Sequence, residues 1–358
     1  MKIDGARPRL LALIGALTIG LAALVAVRVW FPKAFAIALA VGALVGAGIV
    51  IYEVRLTKRI AQAEFIRSLN GSFTSDHNID VLWRKILLDE PITVNDRHLM
   101  SSYLTFFETL YMLIGRDVLE FELIDNLFRN RFFRAIGHPA ILSAALIAHG
   151  SAFLNIHDLI RDWHAYLREK NQSIPDGYFA YRRAVLARQD LEFVELTSKD
   201  VDELLQLSDR VITQLDNPDV LRNNTREMFV DCLAIGAVVG FRHGTQLVAA
   251  GILVDAGDGD ESIAHYVRGA DPTTSVNLKL VMVERDWRAH GIGSFLAESL
   301  EKRASELDKS TVLCTVHPDN DASRSLFTGL GYRRRARATT TYGRRLVFGR
   351  DLPVKRHW

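Results

Sequence analysis

The run Val283-Glu-Arg-Asp-Trp-Arg288-Ala-His-Gly291-Ile-Gly293-Ser294 constrains this chain more than any other feature. An apolar stretch precedes it and a helix-patterned stretch follows, so the run sits at a strand-to-helix junction. The first N–H groups of a helix have no partners inside the helix, and the helix dipole adds partial positive charge where they converge. Such a junction receives a phosphate. Glycines at 291 and 293 let the backbone approach an anion without a Cβ in the way, and Arg288 adds a fixed positive charge.

The flanks fit this reading. Val276-Asn-Leu278-Lys-Leu280-Val-Met282-Val283 alternates and then runs apolar, as a buried strand does. Leu296, Leu300, Ala304 and Leu307 recur at helical spacing, which places Glu298 and Lys302 on the outer face. A second strand, Thr311 to Val316, leads into His317-Pro-Asp-Asn320-Asp-Ala-Ser323-Arg-Ser-Leu326-Phe327-Thr-Gly-Leu-Gly331-Tyr332.

Here the chain resembles the GNAT superfamily of acyl-CoA-dependent N-acetyltransferases. Arg288, Gly291 and Gly293 match the family's first signature, and Asn320, Ser323, Leu326, Phe327, Gly331 and Tyr332 fall on its second. The resemblance covers residues 188–350 and implies an α/β acyltransferase fold, with a mixed, mostly antiparallel sheet flanked by helices. It implies acetyl-CoA as cosubstrate, no metal, and an amine acceptor that is a small molecule, a peptide or a protein.

The resemblance also implies roles. The N–H groups of Ala289, His290, Gly291, Ile292, Gly293 and Ser294 would hold the CoA diphosphate, and Arg288 would support it. An N–H at Met282 or Val283 would polarise the thioester carbonyl. Asn320 would touch the pantetheine arm, with Ser323 and Phe327 beside it. Where the family often carries a tyrosine as general acid, this chain has Phe327, which has no proton to give; Tyr332 is near in sequence and reads as core. Glu284, Asp286, His265 and His317 are the candidate bases, of which Glu284 and His317, with Tyr332, are the catalytic expectations. The competing reading keeps acyl-CoA binding but no turnover, a sensor signalling through the preceding helical region.

Upstream, Leu191 to Leu196 reads as a strand and Ser198-Lys-Asp-Val-Asp-Glu as a capped helix start. Ala234 to Arg242 and Gln246 to Val254 read as a hairpin turning at His243-Gly244. Arg335 to Arg350 reads as a closing hairpin rich in arginine. Alternation on a hairpin makes much of that charge solvated surface, with anionic lipid contact as a further expectation; the lack of interleaved aromatics argues against nucleic acid.

The N-terminal end carries two uncharged apolar runs, Leu10 to Val27 and Ala34 to Tyr52, separated by Arg28-Val-Trp-Phe-Pro32-Lys33. Each is long enough for a hydrocarbon core of about 30 Å, so residues 1–55 read as a membrane hairpin in the lipid bilayer of the cytoplasmic membrane. Basic residues outside both runs, together with the need for acetyl-CoA, place both termini in the cytosol. Residues 56–187 carry helical patterns such as Leu99 to Ile114, with Gly115 as the stop, and read as an α-helical domain whose aromatic stripe is core. Residues 188–350 hold the acyltransferase domain, and 351–358 a tail. The histidines of the helical stretch do not sit at metal-ligand spacing. A net charge of +2 implies no strong global field, and two unpaired cysteines, Cys232 and Cys314, fit a reduced setting.

Overall fold

The computed structural model describes residues 32–221 and 224–353. The chain divides into two compact units, Met1–Gly71 and Ser72–Trp358. Helix α1, Pro32–Ser75, contains the second apolar run. Among the described residues no helix is long and apolar enough to cross a membrane. The helix that carries the run takes on Glu53, Arg55 and Lys58 within two turns of Tyr52. This corrects the expected two-pass placement in the cytoplasmic membrane; the first run, Leu10 to Val27, lies outside the described residues.

Within the second unit the chain is first helical. Its helices are α2 (His77–Leu87), α3 (Arg97–Gly115), α4 (Phe121–Gly137), a π-helical segment Leu142–Ile147, α5 (Leu154–Glu169) and α6 (Asp176–Ala187). The aromatic stripe is core: Tyr103, Phe107, Phe128, Phe132 and Trp163 are fully buried, and Phe132 stacks on Trp163 with ring centres 4.9 Å apart. Gly177 lets α6 lie against α4, because a Cβ there would meet the Phe133 carbonyl oxygen at 1.7 Å.

Seven strands then form one sheet among the described residues, in the order β1-β2-β3-β4-β5-β7-β6. They are β1 (Leu191–Glu195), β2 (Gly236–His243), β3 (Gln246–Val254), β4 (Ser275–Val283), β5 (Thr311–Val316), β6 (Arg333–Thr340) and β7 (Gly343–Asp351). Among the described residues only β4 and β5 pair in parallel. The sheet is therefore mixed and mostly antiparallel, as expected. The β2–β3 turn falls at Gly244, in the left-handed region at φ 60°. Residues 234–235, expected to begin β2, instead end the helix α8 (Arg226–Ile235).

Helices α7 (Val201–Thr213) and α8 cover one face, where Leu204, Leu207, Phe229 and Cys232 pack on Val238, Leu247, Ala250, Ile252 and Met282. The helix after the glycine loop, α9 (Ile292–Glu306), covers the other, and Phe295 meets Phe193 and Phe241 edge-on at 5.5 Å. A last helix, α10 (Asp321–Gly329), follows β5.

The outer side of α9 is not solvated as its charges suggested. Glu298 and Glu301 are 3% and 6% exposed, because α5 lies over them. His164 donates to Glu298 at 2.6 Å, and Arg168 pairs with Glu301 and donates to the Leu330 carbonyl. From the sheet side Arg350 also donates to the Leu330 carbonyl. Lys302 pairs with Asp176 of α6 at 2.7 Å. The helical segment and the sheet thus share a buried ionic seam.

Candidate active site

The site begins with a gap in the sheet. β4 and β5 pair only at Ser275 with Thr311, Val276 with Val312 and Asn277 with Leu313, and beyond Asn277 they part. On the other edge of β4 the register slips by one: Ile252 faces Leu280 while Leu253 faces Leu278, so Lys279 is an extra, bulged residue. A bulge bends its strand, and here the bend accompanies the separation from β5.

The parity of β4 decides which amides the gap exposes. Glu284 donates its N–H to the Val248 carbonyl of β3 at 3.0 Å. Successive strand residues point their backbone groups to opposite edges, so Met282 turns its N–H towards β3, and Val281 and Val283 turn theirs to the edge that β5 vacates. The Val283 carbonyl on that edge accepts from Arg288 Nε at 3.0 Å. Of the two residues expected at the thioester, parity therefore turns the Val283 N–H to the gap, with that of Val281, and the Met282 N–H away from it.

The anion loop follows at once. Ala289 and Gly291 both hold positive φ, 64° and 75°, and α9 starts at Ile292 with Gly291 as its N-cap. The first closed helical turn is Phe295 N–H to the Gly291 carbonyl at 3.1 Å. Among the described residues none of the six backbone N–H groups from Ala289 to Ser294 has a hydrogen-bond acceptor. Six unpaired donors on one short loop form an arrangement that can receive an anion. Arg182 of α6 reaches the same loop, with Nη2 3.5 Å from the Gly291 carbonyl oxygen. Arg182 was not legible as a site residue, since nothing in its sequence context ties it to a loop more than a hundred residues on.

A cavity of about 270 Å³ opens where the strands part. Leu278 to Val281 of β4 and Cys314 to Val316 of β5 form its sheet walls. His317, Asn320, Ser323 and Phe327 line it from the β5–α10 segment, and Asn224, Met228, Tyr342 and Arg345 are among the other lining residues. Asn320 has a structural task as well: its Oδ1 accepts from Ser323 N–H at 3.0 Å and caps α10. Phe327 packs edge-on against Tyr332 at 5.1 Å, with the tyrosine outside the cavity lining.

The expected catalytic groups separate. Glu284 is buried and engaged, paired with Arg210 and accepting from Gln246 Nε2 at 3.2 Å; it does not line the cavity. Tyr332 is buried, and that burial, with the charge of Glu301 second, pushes its phenol well above the usual tyrosine range. It is core, as its sequence position implied. Asp286 lies in a short turn, Arg285–Trp287, and His265 bonds the Gly259 carbonyl at 3.1 Å. Neither lines the cavity.

His317 alone of the expected catalytic groups is in the lining. Its Nδ1 accepts from Asp319 N–H at 3.2 Å, so the neutral ring carries its proton on Nε2 and offers a donor. Two residues that the sequence did not mark as site residues join it. The Tyr342 hydroxyl bonds Thr315 Oγ1 of β5 at 3.2 Å, and Arg345 is 5% exposed. Burial also holds the Cys314 thiol well above its usual range, so that cavity-lining sulfur is not a thiolate.

Residues 261–342 match the family model of FR47-like proteins, a span that contains both the glycine loop and the Asn320 to Tyr332 run. No curated protein matches the chain in sequence. Among solved structures it is similar to an N-acetyltransferase from Staphylococcus aureus, at 13% identity over 46% of this chain and 99% of that one, with a TM-score of 0.37. It is similar to the PaiA N-acetyltransferase of Thermoplasma acidophilum in complex with coenzyme A, at 12% identity over 45% and 98%, with a TM-score of 0.35. The ribosomal-protein-S18-alanine N-acetyltransferase of Escherichia coli is similar at 16% identity over 47% and 96%, with a TM-score of 0.34. The family-model match takes in β4, the glycine loop, β5 and β6, and so spans the place where the sheet divides.

Proposed function

We propose that this domain transfers an acetyl group from acetyl-CoA to a primary amine by direct attack. The observation that carries the reading is the set of six unpaired amides from Ala289 to Ser294, set beside the gap between β4 and β5. The amides receive the diphosphate, and the gap takes the pantetheine arm past Asn320 and Ser323. The neutral amine nitrogen bonds to the acetyl carbon while the carbon–sulfur bond breaks, and the amine's proton leaves as the CoA sulfur gains one. N–H groups of Val281 and Val283 stabilise the charge that builds on the carbonyl oxygen. In place of the missing tyrosine at Phe327, the Tyr342 hydroxyl, in the turn between β6 and β7, supplies the proton for the departing sulfur.

The full chain, mixed with acetyl-CoA and a panel of primary amines, is expected to release CoA thiol only when an amine is present. Arg288→Ala, which unties the loop from Val283, should weaken acetyl-CoA binding by about tenfold. Tyr342→Phe should lower kcat by about ten- to a hundredfold with the KM for acetyl-CoA unchanged. Tight acetyl-CoA binding with no thiol release above background would instead support the sensor reading.

A further inference from the structure

Arg345 stands on β7 with its side chain on the face it shares with Val347, which packs on Leu313 beneath the cavity. At 5% exposure it is one of the most enclosed cations of the domain. Its guanidinium donates to two carbonyls, Arg344 at 3.0 Å and Asp219 at 3.4 Å, and lies 5.0 Å from the Tyr342 ring centre. Among the described residues no carboxylate lies within ion-pair distance of it.

An enclosed cation without an anion is costly, and one lining a cavity marks where an anion is received. Arginine's planar fork matches carboxylate and phosphate oxygens in pairs. Burial already lowers its affinity for the proton, which an incoming anion reverses.

The surroundings point the same way. A second, larger concavity of about 800 Å³ adjoins the first and shares His317, Tyr342 and Arg345 with it. Its wall includes Arg334, Arg337 and Arg344, none of which has an ion-pair partner among the described residues. The acidic groups on the two cavities do not cancel this field: Glu261 is paired with Lys279 at 2.6 Å, while Asp260, Asp219 and Asp319 are solvent-exposed, and Asp219 acts on Arg345 only from beyond ion-pair distance.

We propose that the acceptor amine carries an anionic group, a carboxylate or a phosphate, and that Arg345 binds it. This rests on the acetyl-transfer reading above. The amine then lies towards Val281 and Thr315 while its anion is held from the β7 side. Arg345 is an acceptor-binding residue; it takes no part in moving the proton.

Matched amines test it with the full chain at fixed acetyl-CoA: phenylalanine against phenethylamine, and phosphoethanolamine against ethanolamine. The anionic member of at least one pair is expected to have a kcat/KM about ten- to a hundredfold above its neutral partner, and which pair shows it identifies the anion. Arg345→Gln should bring that ratio close to one with the KM for acetyl-CoA unchanged, and Arg345→Lys should retain part of it. Equal use of neutral and anionic partners by the wild type, or a ratio that survives Arg345→Gln, overturns the proposal. If acetyl-CoA binds but no amine is acetylated, the transfer reading fails by itself. The anion site is then read by calorimetry with CoA present, titrating inorganic phosphate and N-acetylphenylalanine. Binding that Arg345→Gln abolishes upholds the site, and absence of binding to the wild type overturns it.

Discussion

At the scale of single residues the site is built from backbone that side chains rarely accept. Gly291 and Ala289 both sit at positive φ on the loop that offers its amides, but only glycine does so without penalty. For alanine the left-handed region costs roughly 1–2 kcal/mol, and strain of this kind gathers where a loop is shaped for a ligand. Ala289→Gly is therefore expected to raise the stability of the free protein by about 1 kcal/mol, and Gly291→Ala to lower it by a similar amount and to weaken acetyl-CoA binding. Urea denaturation and calorimetry check both; an Ala289→Gly variant no more stable than the parent would remove the claim of strain. The glycines of this loop were legible in the sequence because spacing alone marks them. Ala289 was not, since alanine carries no signature of positive φ. Glu284 and Arg345 were misread for a related reason: whether a charge is engaged or enclosed depends on Arg210 and Asp219, remote in sequence, and alternation alone assigned the hairpin arginines to surface.

At the scale of elements, local chemistry was the more readable part. Two helices open on the same device, a threonine three residues before an aspartate: Thr93 with Asp96 ahead of α3, and Thr197 with Asp200 ahead of α7. In each the aspartate accepts from the threonine's N–H at 2.7 Å. The sequence placed the second cap one residue late, at Ser198, because serine and threonine serve equally well there. Asp96 adds a partner, Lys85 Nζ at 2.8 Å, and that bond, with the Thr93 N–H next, holds its carboxyl below the usual aspartate range. A depressed folded-state value means that the contribution to stability is present above the unfolded value near 4 and fades as the pH falls through the folded one. Asp96→Asn should therefore destabilise the protein at neutral pH, and the gap to the wild type should close as the pH is lowered from about 5 towards 2. Thermal melts across that range decide it; a gap constant with pH would mean the carboxylate's charge is irrelevant. What the elements did not reveal was the bulge at Lys279, since it depends on which strands become neighbours.

At the scale of the whole molecule, the helical stretch and the sheet were legible as separate regions from their periodicities, yet they lie within one compact unit, Ser72–Trp358. The reason is on α9. Its Glu298 and Lys302 read as an exposed pair because a single helix shows only which side is apolar, not whether the polar side will later be covered. In the fold His164 and Arg168 of α5 cover Glu298 and Glu301, Phe179 of α6 stands edge-on to Phe295 at 6.0 Å, and Arg182 reaches the anion loop. Removing residues before 188 thus uncovers apolar surface on α9 and leaves Arg350 without the seam that faces it. A fragment of residues 188–358 is expected to melt well below one of residues 72–358, or to aggregate, and to bind acetyl-CoA more weakly through the loss of Arg182 and of support for the loop. Circular dichroism melts and calorimetry on the two fragments measure this directly. Equal melting temperatures and equal affinities would show that the helical segment is a passenger on the sheet domain rather than part of its fold.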